Sequence, residues 1–453
     1  MKPAKHTAAL ILATAFLVFG ADRETPPPGG PAKPFTLPAR QDSTLPNGMK
    51  ITLVPYGSTP KVTLSAVVHT GRFTESAGQT SLTDLVTRLM KEGTATRTSE
   101  QIASEAAAMG GSLEVAVGPD ETAFSIDVLA EFAPRAAALL ADVLQHPKFP
   151  AADLERLKGD MARQIAIARS TPNSIAAERF RALLFPEHAY GRTYPSNEQL
   201  QGYNLDAVRA YYAANFGAAR THVYAAGKLD AGLAPAIAKA FAPWSAGSEP
   251  KIEAAHPSYQ RRIDVIDRPG AAQSTLYMGL PVVDPTNADY ITLQVLDSLL
   301  GGSFGSRITS NIREQKGYTY SPFSTIVPRA GTAYWAEMAD VTTAVTGASM
   351  TEIFKEIDRI RAEAPPADEL RSIQSYLAGI FVLRNSSRQG VIRQLSFVDR
   401  YGLGDQYLAT YVQKILAVTP ADIQKMGEKY IQPTKMTMVV VGDKSKIASQ
   451  LPQ

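Results

Sequence analysis

The chain has 453 residues, 45% of them apolar and 20% charged, a globular composition too long for one hydrophobic core, so two or more domains are expected. Its 46 basic and 43 acidic residues leave a formal charge of +3, which gives no nucleic-acid footprint and implies no strong charge preference in a ligand, local potentials inside a cavity aside. The absence of cysteine excludes disulfides, lipoprotein anchoring, thiolate metal sites and cysteine nucleophiles.

At the N-terminus, MKPAKH is cationic and Ala8–Ala21 is an apolar run ending in small residues. This is the pattern of an export signal, residues 1–21, cleaved near Gly20 or Ala21, and it predicts a periplasmic protein. The run is short for a bilayer core of ~30 Å, so an uncleaved anchor is the second reading. No other stretch is long and apolar enough to span, and no membrane span is expected after signal removal. Residues 22–41 then read as a Pro-rich tether.

The segment Met49–Gly71, MKITLVPYGSTPKVTLSAVVHTG, predicts a strand, a Gly/Pro turn and a second alternating strand. SLTDLVTRLMKEGT, Ser81–Thr94, predicts a helix whose Leu82, Leu85, Val86, Leu89 and Met90 form a buried stripe. Asp84 and Arg88 are four apart on its other side, an acid N-terminal to a base, as for an exposed helix ion pair. GGSLEVAVGPDETAFSIDVL, Gly110–Leu129, is a second hairpin; one strand at a sheet edge would accept an extended peptide, whereas most hairpins only complete a sheet.

The second half repeats the first. PAADLERLKGDMARQIA from Pro150 is echoed by PPADELRSIQSYLAGIF from Pro365, and Asn215–Lys228 by Lys429–Lys444. RRIDVIDRPGAAQSTLYMGLPVV, Arg261–Val283, has the form of Met49–Gly71. The fold class expected is α+β, two tandem homologous α/β-sandwich domains of mostly antiparallel sheet packed by helices and enclosing a cleft. The expected boundaries are 42–243 and 263–453, joined by the polar, Pro- and Gly-containing linker 244–262.

With the run LLGGSFGSRITSNIREQKGYTYSPFS, Leu299–Ser324, these two halves resemble the pitrilysin/insulinase-like metallopeptidases, or inverzincins, over about residues 42 to 445. The resemblance implies one half of a peptidase clam-shell. Active members carry H-x-x-E-H on the first helix, ahead of a Gly-Thr pair, and a further zinc-binding glutamate downstream; residues four apart share a helix face and can grip one ion. Counting back from Gly93-Thr94 puts Asp84, Thr87 and Arg88 at the His, Glu and His positions, and Gln164 at the downstream glutamate. Threonine is no general base, arginine does not bind a cation, and a lone aspartate does not hold zinc. The six histidines are scattered, no two within four residues, so a zinc site would have to be assembled from distant residues.

From its second half the family contributes an arginine and a tyrosine seven residues apart to a peptide held at zinc, and Arg313 and Tyr320 match both. Gly317 is expected to end the helix, with Arg313 in its last turn and Tyr320, with Tyr318, on the strand that follows. Without the resemblance Arg313 reads as a helix-end cation and Tyr320 as a packed ring. Gly301, Gly302 and Gly305 lack a phosphate-binding context, and no G-x-S-x-G elbow occurs. The resemblance thus implies a catalytically silent subunit of an exported zinc peptidase. It would hold no cofactor itself, bind peptide substrates, and supply Arg313 and Tyr320 to a zinc-bearing homologous partner subunit. The alternatives are a stand-alone peptide-binding or scaffolding protein and, third, an autonomous peptidase with an unusual metal site.

Overall fold

The computed structural model describes Thr36, residues 38–249 and residues 251–452. The expected signal peptide and most of the expected tether lie outside the described residues.

Six strands form the first sheet: β1 (Gln41–Thr44), β2 (Lys50–Pro55), β3 (Lys61–Val68), β4 (Leu113–Val117), β5 (Thr122–Leu129) and β6 (Thr221–Gly227), in the order β1-β2-β6-β3-β5-β4. Five form the second: β7 (Arg262–Asp267), β8 (Gln273–Val282), β9 (Phe323–Arg329), β10 (Thr332–Thr342) and β11 (Thr437–Gly442), in the order β7-β11-β8-β10-β9. The order β2-β6-β3-β5-β4 therefore recurs strand for strand, with β1 added at one edge. In each sheet one pair is parallel, β2 with β6 (Lys50 opposite His222) and β7 with β11 (Arg262 opposite Thr437); the other pairs are antiparallel. The hairpin read at Gly110–Leu129 is β4–β5, with Leu113 opposite Ile126, and β4 is an edge strand.

The helix at Ser81–Thr94 is α1 (Leu82–Lys91), and all five residues of the expected stripe are buried. Ser81 enters it with φ 62°, and the buried Glu75 side chain accepts hydrogen bonds from the Ser81 and Thr83 N–H groups at 2.8 and 2.9 Å. An acid from the preceding turn thus satisfies amides that would otherwise be orphaned at the helix start.

What covers the sheets was not expected. In the first half the helix pair α2 (Ala151–Ser170) and α3 (Pro172–Leu184) matches α4 (Ala367–Arg384) and α5 (Arg388–Arg400) in the second. Yet α3 lays Ala176, Phe180 and Leu184 against Tyr277, Val439 and Val441 of the second sheet. Reciprocally, α5 lays Val391, Ile392, Leu395 and Val398 among Val54, Val67, Tyr224 and Ala226 of the first. Each half covers the other's sheet, so the central strands are buried on both faces: β6 along its whole length and β8 at all but its first residue. Arg388 with Asp127 (2.8 Å) and Lys50 with Asp399 (3.0 Å) add ion pairs across the halves. The segment 244–262 is itself tied down, by Ala218 N to Ser245 O at 2.9 Å and Ser258 N to Leu184 O at 2.8 Å.

Candidate functional site

Asp84, Arg88 and Gln164 line one cavity of about 430 Å³, bounded by α1, α2 and α3 of the first half and by Arg329 from β9 of the second. The i,i+4 pair expected between Asp84 and Arg88 is not formed. Arg72, in the turn before α1, places its planar fork on both oxygens of Asp84, at 3.1 Å each, while Arg88 Nη2 reaches across to Gln164 Oε1 at 2.7 Å. A bidentate match outcompetes the looser pair along one helix face. Burial works against the Arg72 charge, but Asp84 and then Glu75 hold its guanidinium above its ordinary value. Thr87 is only 2% exposed, outside the cavity lining, and donates to its own helix at Asp84 O, 3.1 Å away.

This donor set does not fit zinc. A zinc ion takes converging neutral imidazoles, thiolates or carboxylates. The only carboxylate at the four positions is engaged by Arg72, Thr87 faces the core, and Arg88 brings a positive charge to where the ion would sit. Among the described residues no group of three or more His, Cys, Asp or Glu is placed to hold a metal. The fold does bring two distant histidines together: His222 Nδ1 and His69 Nε2 lie 3.1 and 3.3 Å from Asp399 Oδ2, with Lys50 on the other oxygen at 3.0 Å. Although burial works the other way, hydrogen bonds from His222 and His69 hold the Asp399 carboxyl well below the usual carboxylate range. This cluster ties α5 to the first sheet.

Arg313 and Tyr320 are brought together, but away from the cavity. Arg313 lies in the last helical turn, Thr309–Gln315, which Gly317 ends at φ +63° with Tyr318 N bonded to Ile312 O at 2.8 Å. Tyr320 is not on a strand, as expected, but on the loop before β9, 79% exposed. Pro322 lacks the N–H a strand start would use, and pairing begins only at Phe323. The Arg313 guanidinium sits between two exposed rings, 4.4 Å from the centroid of Phe304 and 5.0 Å from that of Tyr320, with Glu314 at 3.3 Å from its Nε. From Phe323 to Arg329, which reaches the cavity, β9 advances ~20 Å. The two half-sites of one chain therefore do not meet.

Sequence reasoning missed Arg72, Arg181, Arg192 and Arg329 at the cavity, because no motif joins them; only the fold does. Phe304 was equally unmarked inside its glycine-rich turn.

Comparison with known proteins accounts for both halves. The profile described as "Insulinase (Peptidase family M16)" matches residues 51–195, and "Peptidase M16 inactive domain" matches residues 202–377. An uncharacterized zinc protease of Streptomyces coelicolor is 22% identical over 418 residues, 90% of this chain and 91% of that relative. The uncharacterized zinc protease YmxG of Bacillus subtilis is 25% identical over 285 residues, 62% of this chain and 68% of that one. Among solved structures, a peptidase M16 inactive domain from Pseudomonas fluorescens superposes with a TM-score of 0.82 at 22% identity, covering 89% of this chain and 98% of that chain. A protease from Helicobacter pylori gives 0.84 at 17% identity, covering 90% and 100%. The fold and the two profiles, which together span most of the chain, place it in one class: it belongs to the insulinase family of peptidases, M16.

Proposed function

We propose that the chain is the metal-free subunit of a two-chain zinc peptidase of this family, acting outside the cytoplasm. It binds peptide and supplies Arg313 and Tyr320 to the active site of a zinc-bearing homologous subunit. The observation that supports this reading above all is the pairing of a spoiled half-site with a presentable one. The positions that would hold the ion and the base carry Asp84, Thr87, Arg88 and Gln164, locked into neighbours, whereas the partly buried Arg313 lies beside the exposed ring of Tyr320.

Arg313 keeps guanidinium donors free beside its contact with Glu314, and the two flanking rings restrict its motion, so the fork is pre-aimed. A fork and a phenol aimed at a peptide carbonyl stabilise the negative charge that develops there when water attacks. Neither residue lines the chain's own cavity, and β9 runs ~20 Å from Phe323 to the Arg329 that does, which favours action in trans.

A stand-alone peptide-binding or scaffolding role is the second reading, favoured by likeness to a chain of Complex III2 from Candida albicans at a TM-score of 0.75 and 14% identity. Metal analysis and peptide cleavage, measured on the purified chain alone and mixed with an exported H-x-x-E-H homologue from the same genome, separate the readings. Cleavage only in the mixture, lowered by Arg313→Ala, supports the subunit. Stoichiometric zinc and chelator-sensitive cleavage in the lone chain would overturn it.

A further inference from the structure

The cavity that replaces the metal site is ringed by charge of the ion's own sign. Arg72, Arg88, Arg181, Arg192 and Arg329 line it, against the single carboxylate of Asp84. Asp84 is already held by both arms of Arg72. The other four guanidiniums reach only neutral oxygens: Arg88 the amide of Gln164 at 2.7 Å, Arg181 the Thr193 hydroxyl at 3.1 Å, Arg192 the Glu75 carbonyl at 2.6 Å and Arg329 the Pro328 carbonyl at 2.8 Å. Among the described residues none of these four has an acid within 4.0 Å, and Arg192 Nε is buried without a partner. Four half-buried cations with no counter-ion around one space repel each other, and that repulsion is relieved when an anion enters.

Other features narrow the anion. Arg329 is held over the faces of Tyr190 and Tyr334, at 5.6 and 5.7 Å, so its fork is positioned before any ligand arrives. The first amides of α1, where a phosphate would otherwise settle, are taken by Glu75. Binding then falls to side-chain forks, which match a carboxylate or a phosphate bidentately, and only the carboxylate comes on a peptide without modification. One wall is apolar, formed by Met161, Ile165 and Ala168 on α2, and suits the carbon stem of such a group.

We infer that this cavity is a carboxylate-binding pocket, in which Arg88, Arg181 and Arg329 take an acidic side chain or the terminal carboxylate of a bound peptide. The cation site of the catalytic relatives has become an anion site. That the carboxylate belongs to a peptide rests on the peptide-binding reading above; that the pocket selects negative charge does not.

The test is fluorescence anisotropy of the full chain with four labelled peptides of one sequence, carrying Glu or Gln at a central position and ending in a free acid or an amide. The expected result is binding of one or both carboxylate-bearing kinds about tenfold tighter than the neutral peptide, an advantage lost in Arg88→Gln and in Arg329→Gln while the neutral peptide binds unchanged. The Glu/Gln and acid/amide arms tell which carboxylate enters. Arg88→Gln alone carries the test if Arg329→Gln fails to fold, since Arg88 bonds only Gln164. Equal affinity for all four peptides overturns the pocket and leaves the peptide-binding reading standing. Failure of every peptide to bind, with succinate still raising the thermal midpoint of the wild type but not of Arg88→Gln, overturns the peptide reading and keeps the anion pocket. Failure of both probes overturns both.

Discussion

The cavity under α1 and the patch at Arg313 sit on two copies of one sheet, yet they have diverged in opposite directions. The first half has an open, cationic pocket whose one carboxylate is held by Arg72. In the second, a partly buried arginine lies between two exposed aromatic rings at a loop, apart from the cavity of the first half. The strand order β2-β6-β3-β5-β4 is copied without change; the chemistry is not. A duplicated fold constrains the packed strands, because both faces of each central strand are buried, and leaves the loops and helix faces at the rim free to change.

The exchanged helices give the largest expected effect on that comparison. Phe180 of α3 is fully buried, with its ring centroid 4.6 Å from that of Tyr277 and 5.6 Å from that of Tyr334 on the second sheet. Phe180→Ala should lower the unfolding free energy by ~3–5 kcal/mol, read by chemical denaturation. Wild type should show one cooperative transition, since neither sheet is covered without the other half. Two separable transitions in the wild type would mean that the halves are independent bodies.

At the Arg313 loop, Arg313→Ala should lower kcat of the proposed two-chain enzyme by ~10²–10³ with little change in stability, the size expected for removing one pre-aimed donor. Tyr320→Phe, which keeps the ring beside Arg313 but removes the phenol donor, should cost less, on the order of tenfold. A fall in thermal midpoint matching the loss of rate would reassign both residues to packing.

A smaller, pH-dependent effect belongs to the first half. Burial pushes the Glu75 carboxyl up to about 7 from its ordinary 4.5, against the hydrogen bonds from Thr83 and Ser81. The folded chain then keeps a proton that the unfolded chain has already released. The stability this contributes is complete below pH 4.5 and is lost as pH rises to about 7. Asp297, raised by burial to about 6, acts with the same sign, so Glu75→Gln should flatten only part of the slope. His222 and His188, whose imidazoles burial holds below their ordinary value, act with the opposite sign in this window, so the readout is the difference: from about pH 4.5 to about pH 8 the thermal midpoint of wild type should lose ground against that of the variant, and parallel curves would remove Glu75 from the account.

Much of the fold was legible in the sequence because its signals are local. Leu82, Leu85, Val86, Leu89 and Met90 declare a buried helix face by spacing alone, Gly317 ends its helix at a positive φ, and the echo of Pro150 at Pro365 announces the duplicated helix pairs. That α3 and α5 cross to the opposite sheets is not local: the same apolar stripe packs equally well on either, and topology chooses. Tyr320 was misplaced because the alternation TYSPF reads as a strand until Pro322 is given its weight. Asp84, Arg88 and Gln164 were singled out by their spacing from Gly93-Thr94 and do line one cavity, but the arginines around them come from separate elements of both halves and converge only in three dimensions.

The smallest expected effect is also the sharpest on the comparison between the two regions. The family resemblance puts Asp84 where a catalytic member would have a metal ligand, whose removal would abolish activity. Among the described residues its side-chain oxygens bond Arg72 alone, and the pair is partly exposed, at 39% and 19% of the two side chains, so its worth is on the order of 1 kcal/mol. Asp84→Asn should therefore shift the thermal midpoint by no more than a few degrees and leave kcat of the two-chain enzyme unchanged. It should also tighten binding of acidic peptides slightly, because the one negative charge in the arginine ring is gone and Arg72 joins the free guanidiniums. A large loss of cleavage in Asp84→Asn would put catalysis back in the first half and make the pair at Arg313 the relic instead.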